Sequence, residues 1–72
     1  MILKSGDLVV YRPHRAFGVL IRREAGDEPH WSVALRSPGV ENKEVIYTRI
    51  FLHPEQKIFD SVRSGDLEYY AS

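Results

Sequence analysis

The chain has 72 residues, of which 43% are apolar and 28% charged, and ten basic residues balance ten acidic ones. This length predicts one domain, residues 1–72, and the apolar share excludes a disordered chain. The zero net charge disfavours a general nucleic-acid binder, and the absence of cysteine excludes disulfides and thiolate metal sites.

The distribution of charge and hydropathy along the chain indicates which partners and which location to expect. Residues 1–23 hold five bases and one acid, whereas residues 24–72 hold five bases and nine acids, so the folded chain can present one face of each sign. No apolar run approaches the about eighteen residues of a membrane span, and no secretory h-region follows Met1. We therefore expect no membrane partner, and a location in the cytoplasm or in a virion.

The first half of the chain predicts three strands. A Gly6-Asp7 turn leads into an apolar strand, Leu8–Tyr11, which the Arg12-Pro13 step must interrupt because proline lacks an N–H donor. Residues 12–17 should then form a projecting loop. Gly18 restarts pairing for a strand through Ile21, and we expect it either where a Cβ would collide with the facing strand or at positive φ. Alternating residues from Trp31 to Arg36 predict the third strand, with Trp31, Val33 and Leu35 on the buried side.

The second half predicts a strand, a helix and a last strand. After a turn at 37–43, residues 44–52 are rich in β-branched and aromatic side chains and are apolar in both phases near their end. Pro54 suits the first position of a helix of about two turns, which Gly65 ends. Ser64-Gly65-Asp66 repeats the earlier Gly-Asp turn and launches the strand Leu67–Tyr70. The predicted core consists of Val9, Val19, Ile21, Trp31, Val33, Leu35, Tyr47 and Phe59.

Catalytic and metal-binding patterns are missing from the sequence. His14, His30 and His53 lie sixteen and twenty-three residues apart, without the short spacing of zinc ligands. The loop at 37–43 has one glycine and no following helix, so it is not a phosphate cradle. A Ser-His-Asp triad needs a water-excluding pocket, which a chain this small seldom supplies. We predict no enzyme activity, no cofactor and no metal.

What remains is a binding surface. Tyr11 and Phe17 flank the arginine-rich loop, and aromatic rings beside arginines recur at interface hot spots. The alternative interpretation is that these rings are core and the arginines only solvate the loop. If Phe17 is core, the contact must be sought on the last strand and the apolar lead-in, residues 1–3. The candidate partner-binding residues are Arg12, His14, Arg15, Phe17, Tyr69 and Tyr70.

Two resemblances add to these patterns. Gly6-Asp7-Leu8-Val9-Val10-Tyr11, followed by a Pro-His loop and a Gly-led strand, resembles the RNA-polymerase-interacting domain of the CarD and transcription-repair coupling factor family over residues 6–21. The family tends to have a glycine where this chain has Arg15-Ala16, and Arg12 is an extra residue here. The whole pattern is also similar to the small SH3-like and Tudor-like barrel proteins common in bacteriophages.

Together these observations predict an all-β domain, a small five-stranded SH3-like barrel with one short helix before the last strand. The predicted function is a non-catalytic protein-binding module, a phage-type accessory or structural (cement or adaptor) protein that docks on a larger assembly such as a virion shell. The alternative is a transcription-related module that binds RNA polymerase or nucleic acid through the loop at 12–17. Nucleic acid is the less favoured partner. The sequence leaves the oligomeric state open.

Overall fold

A computed structural model describes residues 1–13, 15–37 and 47–72 of the chain. Its elements, in chain order, are β1 (Leu8–Tyr11), β2 (Ala16–Glu24), β3 (His30–Ser37), β4 (Tyr47–Pro54), α1 (Glu55–Ser64) and β5 (Leu67–Tyr70). The strands form one antiparallel sheet in the order β4-β3-β2-β1-β5. This confirms the five strands and the helix before the last one. Within the described residues β4 and β5 are not paired with each other, so closure into a barrel stays a prediction.

The predicted boundaries hold for some strands and fail for others. β1 and β5 have the predicted residues. β2 begins earlier than predicted, because Ala16 and Phe17 already pair with β1 and therefore do not belong to the loop. β4 continues through Pro54, which is tolerated at the end of an edge strand. The predicted turn at 37–43 and the predicted strand residues 44–46 lie outside the described residues, apart from Ser37, which ends β3.

The core lies between the inner face of the sheet and α1. It is formed by Leu3, Val9, Leu20, Trp31, Val33, Ile58 and Leu67. This confirms Val9, Trp31 and Val33, and Phe59 packs against the cluster as a partly buried side chain. Leu35 also lies on this face but is only half-buried. The prediction for the Tyr47 side chain lies outside the described part of the chain.

The predicted inward phase of β2 is wrong. Ala16, Gly18 and Leu20 face inward, which turns Val19 to the opposite, outer face. Leu20 pairs with Val33 but Arg22 already pairs with Ser32, so one extra residue, Ile21, is inserted as a bulge. Ile21 is consequently 44% exposed.

Val33→Ala tests the core on the inner face. Val33 is fully buried against Leu20, its cross-strand neighbour, so we expect the substitution to lower the free energy of unfolding by about 1–3 kcal/mol through lost burial and a residual cavity. Urea unfolding measures the loss. Val19→Ala is the matched control, because Val19 is half-buried on the outer face and should cost less. Equal losses for the two variants would contradict this assignment of faces.

Two polar contacts fix the start of α1 on the sheet, and a glycine ends the helix. The carboxylate of Glu55 accepts hydrogen bonds from Nε of Arg23 and from Nε1 of Trp31, both at 2.9 Å. Arg23, followed by Trp31, lowers the pKa of Glu55. Gly65 adopts the left-handed conformation, with φ of 91°, and its N–H donates back to the carbonyl of Ser61. The predicted stop at Gly65 is confirmed, although the helix begins one residue after Pro54 and has ten residues.

A buried carboxylate joins the two ends of the described chain. Asp7 accepts hydrogen bonds from the backbone N–H of Lys4 at 2.8 Å, from the backbone N–H of Ser72 at 2.9 Å and from the hydroxyl of Tyr69. The Tyr69 hydroxyl also lies 3.0 Å from the carbonyl oxygen of Ile2. The bond from Tyr69, followed by those from the backbone, lowers the pKa of Asp7 to about 2. Asp7 therefore joins the segment before β1 to β5, through Tyr69, and to Ser72 beyond the end of β5.

Candidate functional site

The outer face of the sheet carries a row of apolar side chains that crosses all five strands. Residues paired directly across an antiparallel sheet point to the same face. The register of the strands therefore aligns Tyr70, Leu8, Val19, Ala34 and Ile50, one residue from each strand in sheet order from β5 to β4. We call these five residues the outer row. Helix α1 packs on the inner face, so it does not cover them.

The two ends of the outer row and its neighbours are open to solvent. Tyr70 is 50% exposed and Ile50 is 62% exposed, whereas the three residues between them are half-buried. On the same face, Phe17 of β2 is 38% exposed and Leu52 of β4 is 65% exposed. Contiguous exposed apolar surface on a small protein marks an interaction site more often than isolated exposed residues do.

Ion pairs border this face. Arg12 lies 2.7 Å from Glu68, and Arg22 lies 2.6 Å from Glu24. Both pairs are exposed, so they contribute little to stability. The hydrogen bond from Arg12 to Glu68 raises the pKa of the guanidinium, so Arg12 stays cationic and the carboxylate of Glu68 compensates its charge. The border of the face thus carries charged side chains, including the exposed Arg36 opposite Phe17, and its centre is apolar.

The structure brings only some of the predicted site residues together. Phe17 and Tyr70 share the outer face, on either side of β1, where they oppose Val10 and Leu8. Arg12 is exposed but paired with Glu68. Arg15 is exposed and adopts a left-handed backbone, with φ of 52°, at the end of the loop. His14 lies outside the described residues.

Tyr69 is separated from the other candidates. It points to the inner face, where its ring packs against the core and its hydroxyl donates to Asp7. Burial, followed by the hydrogen bond to Asp7, raises the pKa of Tyr69 to about 12, so the phenol stays protonated and remains a donor. The geometry gives Tyr69 a structural task, and its role as a contact residue stays a prediction.

A groove of about 480 Å³ lies on the inner side, where β4, the end of β1 and α1 meet. The rings of Tyr11 and His53 are stacked there with centroids 5.9 Å apart, and Phe51 lines the same groove. Burial, followed by the nearby charge of Lys57, lowers the pKa of His53 and keeps the ring neutral at pH 7. Its buried Nδ1 has no hydrogen-bond partner among the described residues.

Sequence reasoning missed both the outer row and the groove, although one signal for them was present. The end of β4 is apolar in both phases, a sequence pattern that predicts a strand crossing from one side of a barrel to the other. In the structure Ile50 and Leu52 are instead exposed on the outer face, and Phe51 is 40% exposed on the inner face. The two apolar phases thus mark an edge strand with uncovered side chains on both faces.

Other classes of site find no support in the described residues. Nowhere in 1–13, 15–37 and 47–72 do three His, Asp or Glu side chains gather as metal ligands do. No helix in those ranges has both the length and the apolar character needed to cross a membrane. Comparison with known proteins returned no matching family model, no matching curated protein and no matching solved structure. The part of the chain that the structure describes is a small, mostly β domain with one sheet that is not closed and with an apolar face that no described element covers.

Proposed function

We propose that this chain is a non-catalytic protein-binding module that docks on a larger protein assembly through the outer face of its sheet. The observation that carries the proposal is the outer row, an apolar stripe across five strands that ends in the exposed side chains of Tyr70 and Ile50. Apolar surface that stays in water does not stabilise a domain of this size, whereas burying it against a partner stabilises the bound state.

The chemistry of the face fits a protein partner better than a polyanion. Arg12 and Arg22 on its border are each paired with a carboxylate of the same chain, and the exposed Arg36 opposite Phe17 adds one further arginine to a face whose centre is apolar. Aromatic anchors surrounded by polar residues are the usual composition of an interface centre. Phe17 and Tyr70 supply such anchors here, while Val10 and Leu8 between them supply flat apolar contact.

The finer parts of the proposal concern the fold family and the partner. We propose an SH3-like barrel that is open between β4 and β5, supported by the order of five antiparallel strands with a helix before the last. We propose a larger assembly as partner, with a virion shell as the candidate that follows from the resemblance to phage proteins. RNA polymerase is the alternative that follows from the resemblance of residues 6–21, and it would use the exposed Arg15 at the end of the loop and the exposed Phe17 of β2.

Phe17→Ala tests the proposed docking face. A central aromatic anchor contributes about 2 kcal/mol or more to binding, and Phe17 lies outside the core. We expect the substitution to abolish capture of the native partner while the melting temperature changes little. The measurement is affinity capture from the native host or virion, with mass spectrometric identification of what is retained, together with thermal unfolding of both proteins.

Phe51→Ala is the matched control. Phe17 and Phe51 are the same residue type with nearly equal exposure, 38% and 40%, but they lie on opposite faces of the sheet. A partner retained by the wild type and by Phe51→Ala but lost with Phe17→Ala supports the outer face. Loss with Phe51→Ala alone would move the site to the groove and overturn the proposal. Unfolding by Phe17→Ala would show that Phe17 is core.

A further inference from the structure

Among residues 1–13, 15–37 and 47–72, β4 forms an edge of the sheet and has β3 as its one neighbour. Three consecutive residues at its centre, Ile50, Phe51 and Leu52, are 62%, 40% and 65% exposed although they alternate between the two faces. An edge that is apolar on both faces is a template for another strand, because strand addition covers both faces at once and pairs the free backbone groups. A ligand in the groove would cover only the inner face, and a partner on the outer face would cover only the outer one. Neither would pair the backbone groups of the edge.

The backbone register shows which groups point to this edge. Glu55 donates its N–H to the carbonyl oxygen of Pro29 at 2.9 Å, one step beyond the pair His30 and Pro54. Since hydrogen-bonded and non-bonded pairs alternate along an antiparallel ladder, odd-numbered residues of β4 bond to β3 and even-numbered residues point outward. The N–H and C=O groups of Ile50 and Leu52 therefore face the open edge. Pro54, which has no N–H, also faces outward, where its missing donor costs no bond to β3.

We propose that the partner of this edge is β4 of a second copy of the chain, paired antiparallel about a two-fold axis at Phe51. This register places Ile50 opposite the second copy's Leu52, and these two residues are the ones whose backbone groups are free to exchange hydrogen bonds. Phe51 meets its own copy as a non-bonded pair on the inner face. The outer rows of the two copies then lie on one continuous ten-stranded sheet. The proposal does not rest on the docking function proposed above.

Charge favours a second copy in this register. The formal net charge of the chain is zero, so two copies do not repel each other at long range. Arg49 is the one charged residue in β4, since His53 is neutral. In the proposed register Arg49 lies opposite the second copy's neutral His53, so no like charges meet across the strands. Closed two-fold pairing of this kind is the commonest form of soluble oligomer.

A single pair of strands is a small contact, so the dimer should be weak and concentration-dependent. Light scattering coupled to size-exclusion chromatography, over a dilution series, should show the mass moving from two chains toward one. Leu52→Lys should shift this transition to at least tenfold higher concentration, because it removes an apolar contact and places two lysines near the axis. Ile21→Lys is the matched control, an exposed apolar residue of β2, which β3 separates from the β4 edge, and it should leave the transition unchanged.

The register is tested by disulfide trapping, which is unambiguous because the chain has no cysteine. The Cα atoms of two Phe51 residues in a non-bonded pair would lie about 4.5 Å apart, within the range for a disulfide. The two Ile50 residues would be separated by about 8 Å, beyond that range. Under oxidised glutathione, Phe51→Cys should form a covalent dimer rapidly and Ile50→Cys should not.

Each outcome decides the proposal. A dilutable dimer that Leu52→Lys dissociates and Phe51→Cys traps supports it, provided that circular dichroism shows both variants folded. A monomer at every concentration, oligomers larger than two, or trapping by Ile50→Cys in place of Phe51→Cys overturns it. Loss of the dimer with retained partner capture separates this result from failure of the docking function, which Phe17→Ala tests.

Discussion

Gly18→Val is expected to lower the free energy of unfolding by about 1–3 kcal/mol or more, because the protein has no room for a side chain at this position. A Cβ built on Gly18 would lie 2.7 Å from Cγ1 of Val33, and 3.4 Å from both the carbonyl oxygen of Ala34 and Cγ2 of Val9. Val33 and Val9 are themselves fully buried, so neither can move without disturbing the core. Chemical denaturation of the variant beside the wild type measures the loss.

A double-mutant cycle shows whether the collision with Val33 is the cause. Val33→Ala removes the Cγ1 atom that a Cβ at position 18 would meet first. Gly18→Ala should therefore cost clearly less in the Val33→Ala background than in the wild type, which is a coupling between neighbouring residues. Strictly additive losses, or a neutral melting temperature for Gly18→Val, would contradict the close approach of β2 and β3 at this point.

Gly18 also shows how far the sequence could predict the fold. A lone glycine at the start of an apolar run predicts either a collision with the facing strand or a positive φ, and the geometry shows the collision. The same glycine also indicates the phase of β2. A position whose Cβ would collide with buried side chains must point to the inner face of the sheet. The predicted core instead contains Val19 and Ile21, which implies the opposite phase for β2. The bulge at Ile21 could not have been predicted, because it depends on pairing with Ser32 and Val33 and leaves no mark in β2 alone.

The candidate site was predictable only in part for a related reason. Alternation tells which residues share a face, but it does not tell which face another element covers. Phe17 and Tyr70 were selected as binding residues by type and position, and the structure places both on the uncovered face. Tyr69, selected in the same way, lies on the other face because its neighbour in the strand must alternate with it. Leu8, Val19 and Ala34 join them only through the register of the sheet.

Asp7 is the residue whose importance sequence reasoning missed most. Ser5-Gly6-Asp7 and Ser64-Gly65-Asp66 look equivalent in the sequence, and both were interpreted as turns that launch a strand. The structure separates them, because Asp7 is fully buried while Asp66 is exposed. The difference arises from Tyr69 and Ser72, which lie more than sixty residues away and bond to Asp7 only in the folded chain.

We expect stability to fall in acid chiefly because Asp7 must be protonated. Its pKa is lowered from 3.8 to about 2 in the folded protein, by the hydrogen bond from Tyr69 and then by backbone donors. The ionised carboxylate therefore stabilises the fold above about pH 4, and this stabilisation is lost progressively as the pH falls through about 2. Equilibrium unfolding in urea, at a series of pH values from about 2 to about 7, measures how the free energy of unfolding depends on pH.

Asp7→Asn should lower stability at pH 7 and make the acid profile shallower. An asparagine amide keeps the size of the side chain but offers one acceptor oxygen, and its NH₂ group would face the donors of Lys4, Ser72 and Tyr69. Asp66→Asn is the matched control, since it makes the same change in the exposed copy of the turn and should leave both stability and the profile as they are. Tyr69→Phe should also make the loss of stability in acid shallower than in the wild type. The effect should be smaller than that of Asp7→Asn, because the two backbone donors remain. An acid profile that survives unchanged in Asp7→Asn would mean that the loss of stability arises elsewhere, with Glu55 and its bonds to Arg23 and Trp31 as the next group to substitute.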